Sequence, residues 1–510
     1  MFYSARSNVR FGWKRTSCIA SLTTPRPRGE DGLSPFAEVD MSFPITRRAT
    51  LGMMGGAAIV QVSPAFAQKS ARPSFERSAI AWLRRNAQPL ASANPPPDAL
   101  KPLVAALGGA QVVGLGEATH GTHEDFTFKA ALVRALVVHG GLQVVALECN
   151  RRPGVLLDRY VNGRGGDPIE ILRKSGIFQV LQAEEIIGLI SWLRAWNAAG
   201  KTIVRIIGVD CQALGVDTMD AINWLEKHSR PAASALRRRL APVVQDAKLR
   251  EGRTLELLRT LSAAQWQAVM SALEDLGAAI GKPAAGDEEH VDAAHAALTA
   301  KQALLSSQEL ATFATEAQKK DPELYMRRDQ FMADNLLAMA RGARAAYWAH
   351  NSHVLQDETF WGHNSPLMQD DIRTTGPATT GGHLKRRLGP NYRMVVLDYD
   401  RGRIHSKPFL KTPVSSTRET PWQVFEKPSL PNGSGRVLAA AGPPQYWVNF
   451  DATADRPPAA WLAHSYDSNW AGGQLDLAWP PGKQRLKGAN ILVFFRDVTP
   501  SRLYPFVPQR

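Results

Sequence analysis

Short apolar runs alternate with helical patterns along most of the chain, and this alternation constrains the fold more than any other feature. The runs lie at residues 111–115, 143–147, 203–209, 343–349, 393–399 and 490–495. Between the first two, residues 124–138 predict a helix, with Thr122 as its cap and two glycines at its end. Because strand–helix–strand units build parallel sheets, we predict an α/β fold with a largely parallel central sheet flanked by helices.

Strand patterns are absent from residues 216–341, which are rich in Ala, Leu, Gln, Glu and Arg. A capping-box pattern at Ser262 and Gln265 precedes apolar residues at helical spacing. We predict a helical insertion, broken near residues 281–286, that packs over one side of the sheet and forms a cleft. The part after residue 408, rich in Pro, Gly and Trp, predicts an irregular elaboration within one domain of residues 68–510.

The N-terminus has the pattern of an export signal. Arg47 and Arg48 form a twin-arginine pair, a weakly apolar run covers residues 51–62, and Ala-Phe-Ala precedes Gln68. We therefore predict a twin-arginine signal peptide at residues 41–67, export to the periplasm by the twin-arginine machinery, and a doubtful or disordered extension at residues 1–40. The alternative is an N-terminal anchor helix, but the apolar run is shorter than the roughly 20 residues that span a bilayer. We expect no stable membrane insertion after cleavage.

Charge and cysteine content narrow the classes of partner. The formal charge of +14 falls to +10 without residues 1–67, which hold eight Lys/Arg and four Asp/Glu. The remaining basic residues form no dense block interleaved with aromatics, which argues against nucleic acid as a partner. Cys149 and Cys211 each follow an apolar run and could lie side by side, but the sequence does not establish a disulfide.

Titratable side chains follow four of the predicted strands. They are Glu117 and His120 after the first run, Glu148 after the second, Asp210 after the third, and His350 and His353 after the fourth. Because the carboxyl ends of parallel strands share one edge of a sheet, we expect these side chains to lie close together.

These residue types permit acid–base hydrolysis. A histidine with a pKa near ~6.5 can take a proton from water, and a carboxylate beside it can fix its tautomer. A serine hydrolase of the α/β type would carry G-x-S-x-G, which is absent. The pair Gly114 and Gly116 lacks the third glycine of a dinucleotide motif, because Thr119 stands there. We therefore expect no organic cofactor.

Several candidate residues have alternative interpretations. His120 with His123, and His350 with His353, have spacings that could bind zinc or iron, although neither forms H-E-x-x-H, so a divalent metal stays possible. Other candidates have structural explanations: Glu124 and Asp125 can favour a helix N-terminus, His123 can be a solvated first-turn residue, and Asp210 can cap the next helix.

Five motifs resemble the erythromycin esterase family. They are Gly-Leu-Gly-Glu-Ala-Thr-His-Gly-Thr-His-Glu at 114–124, Val-Ala-Leu-Glu at 145–148, Gly-Val-Asp at 208–210, Arg-Asp-x-x-Met-Ala-x-Asn at 328–335, and Trp-Ala-His-Asn-x-His at 348–353. The resemblance implies an exported, chromosomally encoded member that hydrolyses a small-molecule ester or macrolide lactone with activated water, without a cofactor, in a cleft between the core and the helices.

The same resemblance implies roles for the site residues. His120 resembles the general base, Glu117 and Glu148 the carboxylates that orient it and the water, and His350 a second catalytic histidine. The residues expected to contact substrate are His123, Glu124, Lys129, Asp210 and His353. Lys129 departs from the arginine of resistance esterases, which keeps the charge but loses the planar fork.

Two rival functions stay open from the sequence. The same residues could serve a metal-dependent hydrolase, or the histidines could be ligands in a non-catalytic protein that binds metal, haem or a polyketide.

Overall fold

The computed structural model describes residues 73–244, 260–308, 322–356, 379–408, 422–452, 454–472, 474–475 and 481–504. The twin-arginine pair, the expected signal peptide and the extension before it lie outside these residues. Within the described chain, the strands are β1 Gln88–Pro89, β2 Val112–Leu115, β3 Val144–Asn150, β4 Arg205–Asp210, β5 Ala345–Trp348, β6 Tyr392–Pro408, β7 Gln423–Lys427, β8 Gln445–Asn449, β9 Tyr466–Asp467, β10 Gln474–Leu475, β11 Lys483–Gln484 and β12 Ile491–Val498.

A central sheet joins ten of these strands in the described residues, and its middle is parallel. The order is β1-β8-β12-β6-β2-β5-β3-β4, with β7 and β10 also paired to β6. The six strands from β12 to β4 run parallel, whereas β8 is antiparallel to β12 and β7 is antiparallel to β6. The predicted α/β fold with a largely parallel sheet is confirmed.

Helices pack around this sheet. They are α1 Ser74–Asn86, α2 Lys101–Ala106, α3 His123–Gly140, α4 Arg151–Val161, α5 Pro168–Lys174, α6 Glu184–Ala198, α7 Leu214–His228, α8 Arg230–Arg239, α9 Ala241–Val244, α10 Ala263–Ile280, α11 Glu288–Leu305, α12 Pro322–Ala340, α13 Asn351–Val354, α14 Thr380–Leu388, α15 Ser434–Ala439 and α16 Ala459–Ala463. The described residues between β4 and β5 are mostly helical, with a break at residues 281–287 close to the predicted one, and the capping box of Ser262 and Gln265 begins α10.

Two apolar clusters stabilise the two parts of the fold. The larger one surrounds the sheet, and the smaller one lies among helices α7 to α11. Buried Arg151 at the start of α4 ties these parts together, because it donates to Asp217 of α7 at 3.0 Å and pairs with Asp220 and with Asp292 of α11. A buried arginine needs such partners, since an unpaired charge in the interior is costly. The cleft expected beside the helices stays a prediction.

Some local expectations were wrong. Thr122 occupies the N-cap position of α3, but its side chain makes no capping hydrogen bond. The residues after 408 are less irregular than expected, because they supply β8 to the central sheet in addition to β12, which the apolar run at residues 490–495 predicts. β3 continues through Asn150, so Glu148 lies within a strand instead of after one.

Two further observations concern cysteines and membranes. Cys149 and Cys211 are both buried free thiols in the structure. Among the described residues, no helix has the length and apolar character needed to cross a membrane.

Candidate active site

The loop at residues 116–122, between β2 and α3, carries the first pair of site residues. Its glycines allow a close approach of neighbouring chain, because a Cβ on Gly116 would collide with the side chain of Asn351, and one on Gly121 with the backbone of His405. The glycine pattern that resembles a nucleotide-binding loop in sequence therefore serves packing against α13 and β6. The packing fixes where the loop presents its polar side chains.

Glu117 lies between a histidine and a lysine. Its Oε1 accepts a hydrogen bond from Nδ1 of His120 at 2.5 Å, and its Oε2 accepts one from Nζ of Lys129 at 2.5 Å. Lys129 is fully buried, lies 4.3 Å from the centroid of the Trp348 ring and also donates to the Ala349 carbonyl at 3.2 Å. Burial pushes the pKa of Glu117 upward, but the charge of Lys129 and the hydrogen bond from His120 outweigh it, so this pKa lies below its ordinary value. Glu117 is therefore an ionised carboxylate.

The protonation pattern of His120 follows from this contact. An ionised carboxylate can only accept, so Nδ1 of His120 donates to it, and in the neutral imidazole the lone pair is on Nε2. In the described part of the chain, Nε2 makes no protein hydrogen bond, and the His120 side chain is 17% exposed. His120 thus has a free basic nitrogen where water can reach it.

His350 lies next to His120 at the end of β5. The two ring centroids are 5.2 Å apart, and the backbone N–H of His350 donates to Oε2 of Glu148 at 2.9 Å. Nδ1 of His350 accepts from the backbone N–H of Ser352 at 3.2 Å, so the proton is on Nε2, which lies 3.2 Å from the Ala118 carbonyl. Burial, together with the nearby His120, lowers the pKa of His350 to about 3. His350 is a neutral imidazole that offers an N–H.

Glu148 and His353 of α13 form a separate, charged pair. Nδ1 of His353 lies 2.7 Å from Oδ1 of Asp329, and Nε2 lies 3.3 Å from Oε1 of Glu148. Burial alone would lower the pKa of His353, but the charges of these two carboxylates raise it to about 10. Burial likewise opposes ionisation of Glu148, yet the charge and hydrogen bond of His353 hold its pKa well below the ordinary value. Nη1 of Arg328 also lies 3.3 Å from Nε2 of His353, but the two carboxylates outweigh this cation, so His353 is protonated and is not a base.

Arg328 of α12 connects this pair to β4. Its Nε and Nη2 donate to the two oxygens of Asp210 at 2.8 and 2.7 Å, and Nη2 also lies 3.2 Å from Oε1 of Glu148. Such two-point contacts set both the distance and the plane of a carboxylate. Asp210 thereby holds Arg328, and Arg328 fixes one oxygen of Glu148.

The structure brings together most, but not all, of the residues predicted from sequence. The cluster contains Glu117, His120, Lys129, Glu148, Asp210, His350 and His353. His123 and Glu124, expected to contact substrate, are instead paired with other protein groups: Nδ1 of His123 with Glu185 at 2.6 Å, and the Glu124 carboxylate with Thr499. These contacts hold both side chains in place in the first turn of α3.

Three further residues complete the cluster and were not predicted as site residues. They are Arg328, Asp329 and Ser352. Arg328 and Asp329 appear only as part of a quoted motif on α12, and Ser352 sits between two histidines without a pattern of its own. The available signal was the motif at residues 328–335 that resembles the erythromycin esterase family, which by itself assigns no role to Arg328 or Asp329. An arginine next to an aspartate is too common on helices to indicate a site.

The described residues include no group of three or more His, Cys, Asp or Glu side chains placed to hold a metal ion. Each histidine of the cluster has protein partners on at least one ring nitrogen, as given above. A groove of about 500 Å³ lies away from this cluster. It is formed by the turn before α11, by α11 and by α12, and it is lined by Val291, Leu298 and Met339.

Fold and site together define an α/β protein with a cluster of histidines and carboxylates at the carboxyl edge of a parallel sheet. The family model for erythromycin esterase matches residues 137–478, and the chain belongs to that family. The matched range includes Glu148, Asp210 and His350, whereas the loop with Glu117 and His120 precedes it.

Comparison with individual proteins gives shorter matches. The chain is 32% identical over 113 residues to "Erythromycin esterase type II" of Escherichia coli, covering 22% of this chain and 26% of that protein. It is 29% identical over 133 residues to "Putative hydrolase YbfO" of Bacillus subtilis (strain 168), covering 26% and 29%. The chain therefore aligns with little more than a quarter of either relative's length.

Solved structures share the fold over most of the chain. A Bacillus cereus protein has a TM-score of 0.69 at 21% identity, covering 85% of this chain and 100% of that one. A succinoglycan biosynthesis protein has a TM-score of 0.68 at 20% identity, with the same coverage. A mutant of the erythromycin esterase EreC in its open conformation has a TM-score of 0.57 at 16% identity, covering 79% and 94%.

Proposed function

We propose that the protein hydrolyses a carboxylic ester with a water molecule activated by His120. The hydrogen bond of 2.5 Å between Nδ1 of His120 and Glu117 carries this proposal. It holds the imidazole in one orientation, with the basic Nε2 free. A base held this way by a carboxylate accelerates proton transfer by roughly 100- to 10,000-fold.

The reaction proceeds in two proton transfers. Nε2 of His120 takes a proton from water while the water oxygen attacks the ester carbonyl carbon. The carbon–oxygen bond to the alcohol then breaks, and the His120 imidazolium returns the proton to the departing alkoxide. Glu117 stabilises the imidazolium between these steps, as a carboxylate does beside a catalytic histidine.

His350 stabilises the negative charge that develops on the ester oxygen during the reaction. Its Nε2–H makes a contact of 3.2 Å with the Ala118 carbonyl, so it can turn to a stronger acceptor. A neutral imidazole is suited to this task, because it donates to a developing oxyanion without giving up its proton. Arg328 and His353 hold Glu148 in place. Glu148 in turn positions His350 by accepting a hydrogen bond from the backbone N–H of His350.

The substrate we propose is a lactone of the macrolide type or a related small ester. Family membership and the name of the Escherichia coli relative support this class. No organic cofactor takes part in this scheme.

The test is a mass-spectrometric screen of macrolides and simple esters for products heavier by one water, with His120→Ala beside the wild-type enzyme. We expect hydrolysis by the wild type and its loss in His120→Ala, with almost unchanged thermal unfolding. The matched control is His228→Ala, since His228 is exposed at the end of α7, where its Nδ1 contacts the Trp224 carbonyl and its ring stacks on Trp224. An active, folded His120→Ala enzyme would overturn the assignment.

The same screen separates the rival functions. Loss of hydrolysis after chelation and dialysis, restored by one divalent metal, would replace the proposal with a metal-dependent hydrolase. Saturable binding of a polyketide, haem or metal without turnover of any ester would replace it with a binding protein.

A further inference from the structure

The last described residues of the chain lie across the loop that carries His120. We call residues 499–504, directly after β12, the C-terminal strap. Backbone bridges pair Pro500 with Thr122 and Leu503 with Ala183 at the start of α6. The strap thus contacts both the His120 loop and a second helix, and it lies outside the range matched by the family model.

Glu124 anchors the first residue of the strap. Its two carboxylate oxygens accept from the backbone N–H and from Oγ1 of Thr499, each at 2.7 Å. In return, the backbone N–H of His123 donates to the Thr499 carbonyl at 2.8 Å. Three hydrogen bonds therefore join the strap to the first turn of α3, three or four residues after His120.

The strap also contacts the His120 loop directly, at Gly121. The Gly121 carbonyl accepts from the backbone N–H of Ser501 at 2.9 Å and from that of His405 at 3.0 Å. The His405 ring donates through Nδ1 to the Ser501 carbonyl at 2.7 Å. Gly121, next to His120 in the chain, is thus held between the strap and β6, where a side chain would not fit.

Glu185 adds a further attachment at Arg502. Its Oε1 accepts from Nδ1 of His123 at 2.6 Å and from the backbone N–H of Arg502 at 3.1 Å. The carboxylates of Glu124 and Glu185 therefore anchor the strap on both sides of the first turn of α3.

We propose that the C-terminal strap is a positioning element of the site, and that Glu124 is a positioning residue that acts on His120 through Thr499. This inference rests on the proposed role of His120 as the base. The polar contact of His120 within the described residues is to Glu117, on the same loop, so movement of the loop moves base and carboxylate together. The start of the loop is held by α13, where the backbone N–H of Asn351 donates to the Glu117 carbonyl at 2.8 Å, and the strap holds the end of the loop at Gly121 and Thr122.

Glu124→Ala and Thr499→Val test this role, with Thr499→Ser as the conservative variant. Hydrogen exchange is measured first, without substrate, on peptides that cover residues 114–122. We expect faster exchange there in Glu124→Ala, a smaller increase in Thr499→Val, and wild-type exchange in Thr499→Ser, which keeps the hydroxyl. For the hydrolysed ester, we expect kcat to fall roughly 10- to 100-fold in Glu124→Ala with KM nearly unchanged, as for a misplaced catalytic group.

Asp455→Ala provides the matched control. Asp455 accepts long-range hydrogen bonds from Arg85 and Asn86 at a partly exposed position, so its loss tests general destabilisation. We expect no change in exchange at residues 114–122 and no change in kcat.

The outcomes separate this inference from the proposed function. Unchanged loop exchange in Glu124→Ala overturns the strap's anchoring role, and faster exchange with unchanged kcat overturns its positioning role. A raised KM with unchanged kcat would indicate that Glu124 binds substrate, and this result would also overturn the positioning role. If the wild type hydrolyses no ester, the proposed function fails, whereas the exchange result still decides whether the strap orders the loop.

Discussion

At the scale of single residues, the neighbours of each imidazole decide what that imidazole can do. His120 has one carboxylate on Nδ1 and a free Nε2. His350 has only neutral protein groups on its ring, and its pKa falls to about 3 through burial and the nearby His120. His353 lies between two carboxylates, which raise its pKa to about 10 against the effect of burial. Three histidines of one cluster thus become an acceptor, a neutral donor and a fixed cation.

Replacement of Lys129 by methionine tests how His120 is kept as a proton acceptor by the ionised Glu117. Lys129 is fully buried and holds Glu117 ionised, so Lys129→Met leaves a buried carboxylate without its cation. We expect the pKa of Glu117 to rise and kcat to fall about 100-fold, because a protonated Glu117 no longer orients His120. We expect the free energy of unfolding, measured in urea, to fall by about 3–5 kcal/mol, as when one partner of a buried pair is removed.

The double variant Glu117→Gln with Lys129→Met is the control for this pair. It removes both charges, so we expect it to be more stable than Lys129→Met alone, although it is inactive. A double variant that is no more stable than the single one would contradict the ion-pair interpretation.

At the scale of elements, ionic contacts join the strands and helices that build the site. Asp210 ends β4, Glu148 lies in β3, Arg328 and Asp329 lie side by side on α12, and His353 lies on α13. Each contact joins elements that are distant in sequence. The site is therefore coupled to the stability of α12 and α13.

This coupling predicts a pH dependence of stability. The pKa of His353 is near 6.5 in the unfolded chain and about 10 in the folded protein. Since the folded pKa is raised, the stabilisation by His353 is complete below the unfolded value and is lost as the pH rises toward the folded value. We expect the urea midpoint to fall between about pH 7 and about pH 9, and to fall less in His353→Gln. Equal slopes for the two proteins would refute this contribution.

The same elements show what the sequence can and cannot predict. Periodicity located the parallel strands, and the shared edge of parallel strands was enough to bring Glu117, Asp210 and His350 together. Arg328 was missed because nothing in a helical pattern indicates which arginine reaches a strand 118 positions away. The contact of Glu124 with Thr499 was not predicted, because the position of Glu124 near His120 in sequence does not reveal that the residues after β12 pack on the first turn of α3.

At the scale of the whole molecule, the described fold begins close to the expected cleavage site. Helix α1 starts at Ser74, and its Trp82 and Leu83 are buried in the main core. The indole N–H of Trp82 donates to the Asp455 carbonyl at 2.9 Å, which fixes α1 to the C-terminal part. Cleavage before Gln68 would leave all of these contacts intact.

We therefore expect export by the twin-arginine route, with a mature protein that starts at Gln68 and keeps the fold described here. Expressed in a bacterium that has this machinery, the wild-type chain should appear in the periplasm, and its N-terminal peptide, identified by mass spectrometry, should begin with Gln68. The paired substitution of Arg47 and Arg48 by lysine keeps the charge but removes the recognised pair, so this variant should stay in the cytoplasm as an uncleaved chain. The matched control is Arg26→Lys with Arg28→Lys, which changes two arginines before Met41 and should leave export unaffected. A lysine variant that is exported and cleaved like the wild type would refute the twin-arginine route, and an uncleaved, membrane-bound wild type would show that the segment is an anchor.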